Sequence, residues 1–196
     1  ILDSSPSSGL GDVYKRQEIP QNADLQIINF DSLSSNKVKL KNDIDHVYLC
    51  LGKRLSTHEL GYMQHSARES FKLIDFEYPL SIAKLAYDSG ARSIALVSAV
   101  GAQEGSFNYY FHIKGKLENE IKKIGYENMC FARPGHLLGE RKDFRGYEIP
   151  ILESGLRFAE PFMQGPLTNF RQVEAKQVAK SMICLLYTSD AADDIP

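Results

Sequence analysis

The fold this sequence predicts is an α/β one: an open, doubly wound sheet of parallel strands with helices on its faces. Three observations carry it. Short apolar runs alternate with longer helical patterns. The run SIALVSA (93–99) is nearly continuous in apolar character, as a strand covered on both faces requires. Glycines close the helical stretches, where a left-handed residue ends a helix most cheaply. The resulting β-α-β-α-β rhythm places functional side chains at the carboxyl ends of the strands.

Each element has its own justification. LQIINF (25–30) reads as a strand, and HVYLCLG (46–52) as a second that stops at Gly52. A helix of about fifteen residues follows and ends at YDSG. Its candidate buried positions are Ile74, Leu80, Ile82, Leu85 and Ala86, and Gly90 supplies its cap. The third strand is 93–99. The next helix carries Tyr110, Ile113, Leu117, Ile121 and Ile124 at spacings of three and four and ends at Gly125. NMCFARPG (128–135) is the fourth strand, ended by Pro134 and Gly135. GERKDFRG (139–146) is mixed in charge and reads as a solvated loop near a substrate mouth.

The two ends of the chain explain each other. Asp12 to Gln17 (DVYKRQ) can be encoded by GATGTGTATAAGAGACAG. The reverse complement of that string, read one base in, encodes CLLYTS, which is Cys184 to Ser189. Residues 1–17 and 184–196 are therefore expected to be translated sequencing-adapter DNA, and 18–183 to be one partial domain. A disordered polar tail at each end would not produce that relation.

Composition narrows the classes further. The formal charge is −2, and the tail alone carries Asp190, Asp193 and Asp194, so the interior is close to neutral. No nucleic-acid partner is expected. No apolar run is long enough to span a bilayer, so no membrane partner is expected either. The five histidines have no ligand spacing, and no metal site is expected. Cys50 and Cys130 lie in apolar runs, Cys50 reading as a small core residue. They suggest a reducing, cytoplasmic setting.

The chemistry concentrates in LVSAVGAQEGSFNYYFHIKGKLENEI (96–121). Ser98 ends a strand, and Tyr110 and Lys114 are four apart on one helix face. A phenol near pKa 10 is a poor proton carrier at neutral pH. A neighbouring ammonium lowers that value and suits the phenol to exchange a proton with a carbonyl or alcohol oxygen. A serine hydroxyl alongside can donate to the same oxygen. The plainer reading of Tyr110 is a helix residue packing on the sheet. Ser98 can equally be a strand-end serine bonding backbone, and His112, on another helix face, reads as a surface residue.

This Ser…Tyr-x-x-x-Lys set resembles the short-chain dehydrogenase/reductase superfamily. VYLCLGKR (47–54), DFEYPLSIAKLAYDSGARSIALVSAVGA (75–102), YYFHIKGKLE (109–118), FARPGHLLGERKDFR (131–145) and GPLTNFRQVEAKQVAKSM (165–182) are similar to its atypical, Tat-interacting-protein-like branch. The resemblance implies a Rossmann-like domain and a cytoplasmic NAD(P)H-dependent oxidoreductase. Hydride would pass to or from a small-molecule carbonyl or alcohol, with NADP the first choice of cofactor and NAD the second. It implies Tyr110 as acid–base, Lys114 on the nicotinamide ribose and Ser98 orienting the substrate oxygen. Leu51 and Gly52 would lie along the cofactor, and Arg133, Pro134 and Gly135 would flank the nicotinamide. Asn29 stands where the branch usually has an aspartate near the adenine. No G-x-G-x-x-G follows a strand here. The adapter reading accounts for this through loss of the first two strands and the Gly-rich loop, so the fragment itself is expected to be inactive. A non-catalytic NAD(P)H-sensing protein and a nucleotide-sugar epimerase relative are the alternatives. Monomer and homodimer are both open.

Overall fold

Three parallel strands, in the order β3-β4-β5, form the central sheet of the computed structural model. The structure describes residues 2–3, 27–28, 30, 40, 44–53, 55–138 and 172–193. β3 (His46–Leu49) pairs with β4 (Ser93–Val97) with Tyr48 opposite Ala95, and β4 pairs with β5 (Asn128–Ala132) with Ala95 opposite Cys130. Two short pairs lie outside this sheet. β1 (Leu2–Asp3) runs parallel to β2 (Ile27–Ile28), and β6 (His136–Leu138) runs parallel to β7 (Gln172–Glu174). The α/β class expected from the sequence is the class observed.

The helices are α1 (Thr57–Gly61), α2 (His65–Lys72), α3 (Tyr78–Asp88), α4 (Tyr109–Lys122) and α5 (Ala175–Asp193). α1 and α2 precede the helix of about fifteen residues that the sequence predicts. A capping box starts α1: Glu59 N–H donates to Ser56 Oγ and Ser56 N–H to Glu59 Oε2. α2 runs into a π-helical turn (Leu73–Glu77) and on into α3, so one unbroken helical run extends from His65 to Asp88. Pro79 gives a local reason for the turn. It has no N–H for the carbonyl of Asp75, while the Tyr78 N–H reaches five residues back to Leu73 O. The widened turn buries Ile74, Asp75 and Phe76 in succession, which a regular 3.6-residue period does not do. Gly90 (φ 105°) and Gly125 (φ 100°) stand just past α3 and α4 in the left-handed region, as expected.

The sheet is covered unequally. On one face Leu49, Ile94 and Leu96 meet Phe71, Ile74, Ile82, Ile113, Leu117 and Ile121. Each such side chain contributes about 1.5–3 kcal/mol by leaving water. On the other face α5 lays Met182 and Leu186 over the small Ala95. α5 extends through residues 184–193, and β1 lies in 1–17. Helix formation and strand pairing follow side-chain pattern whatever DNA encoded it, so neither bears on the adapter reading.

Three sequence expectations change in detail. The strand expected at 25–30 is described only at 27–28 and pairs with β1 instead of joining the central sheet. The strand expected at 46–52 stops at Leu49, because the chain then turns to serve a buried carboxylate. Cys50, beyond that last rung, is therefore exposed rather than a core residue, and Cys130 is half-buried. Asn29 and residues 139–146 lie outside the described residues.

Candidate active site

All three central strands point the same way, so the segments after them gather at one edge of the sheet. There the ladder continues a little further through backbone, from Ser98 N–H to Ala132 O (2.7 Å) and from Val100 N–H to Pro134 O (3.1 Å). Ser98 is 4% exposed, and its Oγ makes no hydrogen bond among the described residues. A buried hydroxyl without a partner costs free energy, which makes its position at the end of the central strand a candidate site.

α4 brings the next groups to the same edge. Asn108 caps it: Oδ1 accepts from the Tyr110 N–H (2.9 Å), while Nδ2 donates to Leu60 O (2.8 Å), tying the start of α4 to α1. The Tyr110 ring packs against Phe71 (5.7 Å between centroids). One turn on, Lys114 is 5% exposed, and its Nζ lies 2.7 Å from Oδ1 of Asp75, which is 1% exposed. The other carboxylate oxygen accepts the Lys53 N–H at 2.7 Å. Gly52 passes over this pair. A Cβ there would stand 3.3 Å from Asp75 Oδ1 and 3.9 Å from Lys114 Nζ. Leu51 packs at the margin of the core.

The electrostatics correct one expectation. Tyr110 is pushed up to about 12, first by burial and then by the Asp75 carboxylate, not lowered. The physical reason is first the buried position of the ring, and Lys114, already paired with Asp75, does not offset it. Asp75 is itself held above the ordinary carboxylate value by burial, against the opposing pull of Lys114.

The structure thus brings Gly52 and Lys114 together around Asp75, sets Tyr110 one turn before Lys114, and places Ser98 at the end of the neighbouring strand. Arg133 goes elsewhere. Its guanidinium forms a two-pronged pair with Glu118, with Nε 2.9 Å from Oε1 and Nη2 on Oε2. Its backbone, with Pro134 and Gly135, stays at the sheet edge, where Val100 N–H donates to Pro134 O. His112 contacts Glu104 O through Nδ1. The sequence reading missed Asp75 and Glu118. Their available signal was an acid inside a buried helical stretch, visible at Ile74-Asp75-Phe76. A cleft of about 370 Å³ lies between β5 and α5, lined in part by Cys130, Pro134, Val178 and Met182.

An open parallel sheet with buried polar groups, one of them unsatisfied, toward its carboxyl edge defines the class: an α/β protein with a candidate site at that edge. No family model matches the chain. Curated relatives do. It is 37% identical over 116 residues to Protein FMP52, mitochondrial, of Candida albicans, covering 59% of this chain and 49% of the relative. It is 29% identical over 148 residues to the protein of that name in Kluyveromyces lactis, covering 74% and 64%. It is 41% identical over 85 residues to that of Debaryomyces hansenii, covering 43% and 38%. The chain thus spans about half the length of the first of these. Among solved structures it is similar to Pen from Bacillus thuringiensis, with a TM-score of 0.54 and 15% identity over 91% of this chain and 53% of the other. It is also similar to MalC Reductase/Diels-Alderase from Malbranchea aurantiaca, with a TM-score of 0.53 and 17% identity over 81% and 62%. At these identities the two structures share the fold alone.

The relatives' names correct two expectations. The curated proteins this chain is similar to are FMP52 proteins of yeasts, which overturns the assignment to the short-chain dehydrogenase/reductase branch. They are named mitochondrial, which overturns the cytoplasmic location. Unpaired thiols report redox state, not compartment.

Proposed function

We propose that the whole protein is an NAD(P)-dependent oxidoreductase acting on a small carbonyl or alcohol substrate, and that this chain supplies its proton-handling half. The observation that carries the reading is the buried, unpartnered Ser98 Oγ at the end of the central strand. A carbonyl or alcohol oxygen placed against it satisfies the hydroxyl and comes to the edge that α4 lines with Tyr110 and Lys114. The space above Gly52, kept by the missing Cβ, suits close approach of a ribose to Lys114. The residues present therefore fit a nicotinamide nucleotide, NADP or NAD, which when bound supplies the hydride chemistry.

The chain's own groups would do the rest. Ser98 orients the substrate oxygen. Tyr110 gives that oxygen its proton or removes it. Lys114 holds ribose hydroxyls, and the backbone of Arg133, Pro134 and Gly135 walls the nicotinamide side. The reductase named among the fold neighbours is compatible with this reading, and the relatives' names favour action in the mitochondrion.

The test is Tyr110→Phe in the protein expressed from the complete reading frame. Turnover should fall by about 10²-fold or more with nucleotide affinity unchanged. Unchanged turnover overturns the enzyme reading. A second reading, a nucleotide sensor with incidental turnover, is favoured by the raised Tyr110 phenol. On that reading the variant keeps both its nucleotide response and whatever slow turnover the protein has.

A further inference from the structure

The Asp75–Lys114 pair asks for an explanation of its own. A buried ion pair is a poor source of stability, because desolvating two charges offsets most of their attraction. Yet this one is carefully held. Asp75 sits on the π-helical turn, a deviation concentrated at functional sites. Both of its oxygens are occupied, by Lys114 Nζ and by the Lys53 N–H. A side chain at Gly52 would crowd it.

We propose that Asp75 is a positioning residue for the reaction: it fixes Lys114 at the carboxyl edge of the sheet and balances the ammonium's charge, so that Tyr110 becomes a ready proton carrier only when a ligand draws Lys114 off. This rests on the assignment of Tyr110 as the proton carrier. Ribose hydroxyls are the ligand chemistry that fits, since they accept from an ammonium without bringing a competing charge. Drawn towards them, Lys114 leaves Asp75 buried with the Lys53 N–H alone, and the carboxylate then takes up a proton from solvent. One negative charge beside Tyr110 disappears, while the ammonium stays on the same helix face. Ligand entry and phenol activation are thus coupled through one carboxyl group.

Among the described residues, Lys53 is the other charge that acts on Asp75, favouring its ionised form. Lys53 turns its ammonium to Ser70 Oγ on α2 (2.7 Å). On α2, Arg68 lies over the Tyr109 ring (4.9 Å) and Lys72 pairs with Glu77 (2.7 Å). Within α4, Tyr110 and Lys114 are the titratable groups nearest Asp75.

The test uses this chain with its tyrosines labelled at ring Cζ, the Tyr110 line being assigned from Tyr110→Phe. In the unmodified chain that line should stay at the neutral-phenol position beyond pH 11, given a value of about 12. In Asp75→Asn, which keeps the shape and removes the charge, it should begin to move about one pH unit lower. Asp75→Ser is the second variant should the amide not fold. A folded variant of either kind with an unshifted Tyr110 line overturns the proposal and leaves Asp75 a packing residue. The unmodified complete protein needs no substitution. Calorimetry of NADPH binding in two buffers of different ionisation enthalpy should show net proton uptake at neutral pH, and none would equally overturn the proposal. Absence of NADPH binding would count against the oxidoreductase reading, while the Tyr110 line would still judge Asp75.

Discussion

Two of the ion pairs on α4 lie one turn apart, and they are built differently. Lys114 meets Asp75, and Glu118 meets Arg133. Each has a carboxylate that is 1% exposed. In the first pair the cation is buried too, the partner sits on a π-helical turn, and a glycine passes over both. In the second the cation's side chain is 48% exposed, and the pair joins α4 to the end of β5. The difference separates two uses of a buried charge. Glu118 fastens a strand end to a helix, and water can reach its partner. The first pair is sealed among protein groups, where fastening alone would be better served by apolar side chains. Position along one helix thus divides a clamp from a site.

Breaking the sealed pair should cost most. Lys114→Met leaves Asp75 buried without its cation and is expected to lower stability by about 3–5 kcal/mol, read from urea unfolding at pH 7. The loss should shrink as the pH is lowered. A carboxyl group whose folded value lies above its unfolded one contributes stability below the unfolded value and loses it as the pH rises through the folded value. Asp75 is already raised and would be raised further in this variant. Adding Asp75→Asn to Lys114→Met should restore most of the loss, because no uncompensated charge remains. A double variant no more stable than the single one would show that packing, not charge, holds the seam.

The next effect comes from the residue between the pairs. A Cβ on Gly115 would lie 2.4 Å from the backbone of Gln103 and Glu104, so the loop after β4 rests directly on α4. Gln103 N–H donates to Phe111 O there (3.1 Å). Gly115→Ala should cost roughly 1–3 kcal/mol in the same unfolding measurement by forcing that loop outward. If the cost is negligible, the loop is not set by this contact.

What the sequence disclosed and what it hid follow the same division. The alternation of strands and helices, the glycines at 90 and 125 and the spacing of Tyr110 and Lys114 are local patterns, and local periodicity is enough to read them. Asp75 was hidden because its importance needs three facts that no periodicity carries: the π-helical turn before Pro79, the crossing of that turn by α4, and the arrival of the Lys53 N–H from the segment after β3. Cys50 was misplaced because the end of β3 is set by that same carboxylate. Arg133 was legible as a residue near a strand end, but Glu118, the group that turns its side chain away, lies fifteen residues back on another element. The rise of the Tyr110 phenol has the same origin. A Tyr–Lys spacing says that two groups can meet, and only packing says whether the lysine is already engaged.

The smallest expected effect tests the clamp. Arg133→Met keeps the length of the side chain over α4 but leaves Glu118 without its guanidinium. Because that guanidinium is half exposed, water replaces part of what is lost, and the cost should be about 1–2 kcal/mol, below that of Lys114→Met. The more informative measurement is nucleotide affinity in the complete protein. With the guanidinium turned to Glu118, only backbone at 133–135 would wall the nicotinamide, so affinity in Arg133→Met should stay within about twofold. A tenfold loss would mean that Arg133 leaves Glu118 when the nucleotide binds. The second pair would then open with the first, and α4 would carry two gated charges instead of a clamp and a site.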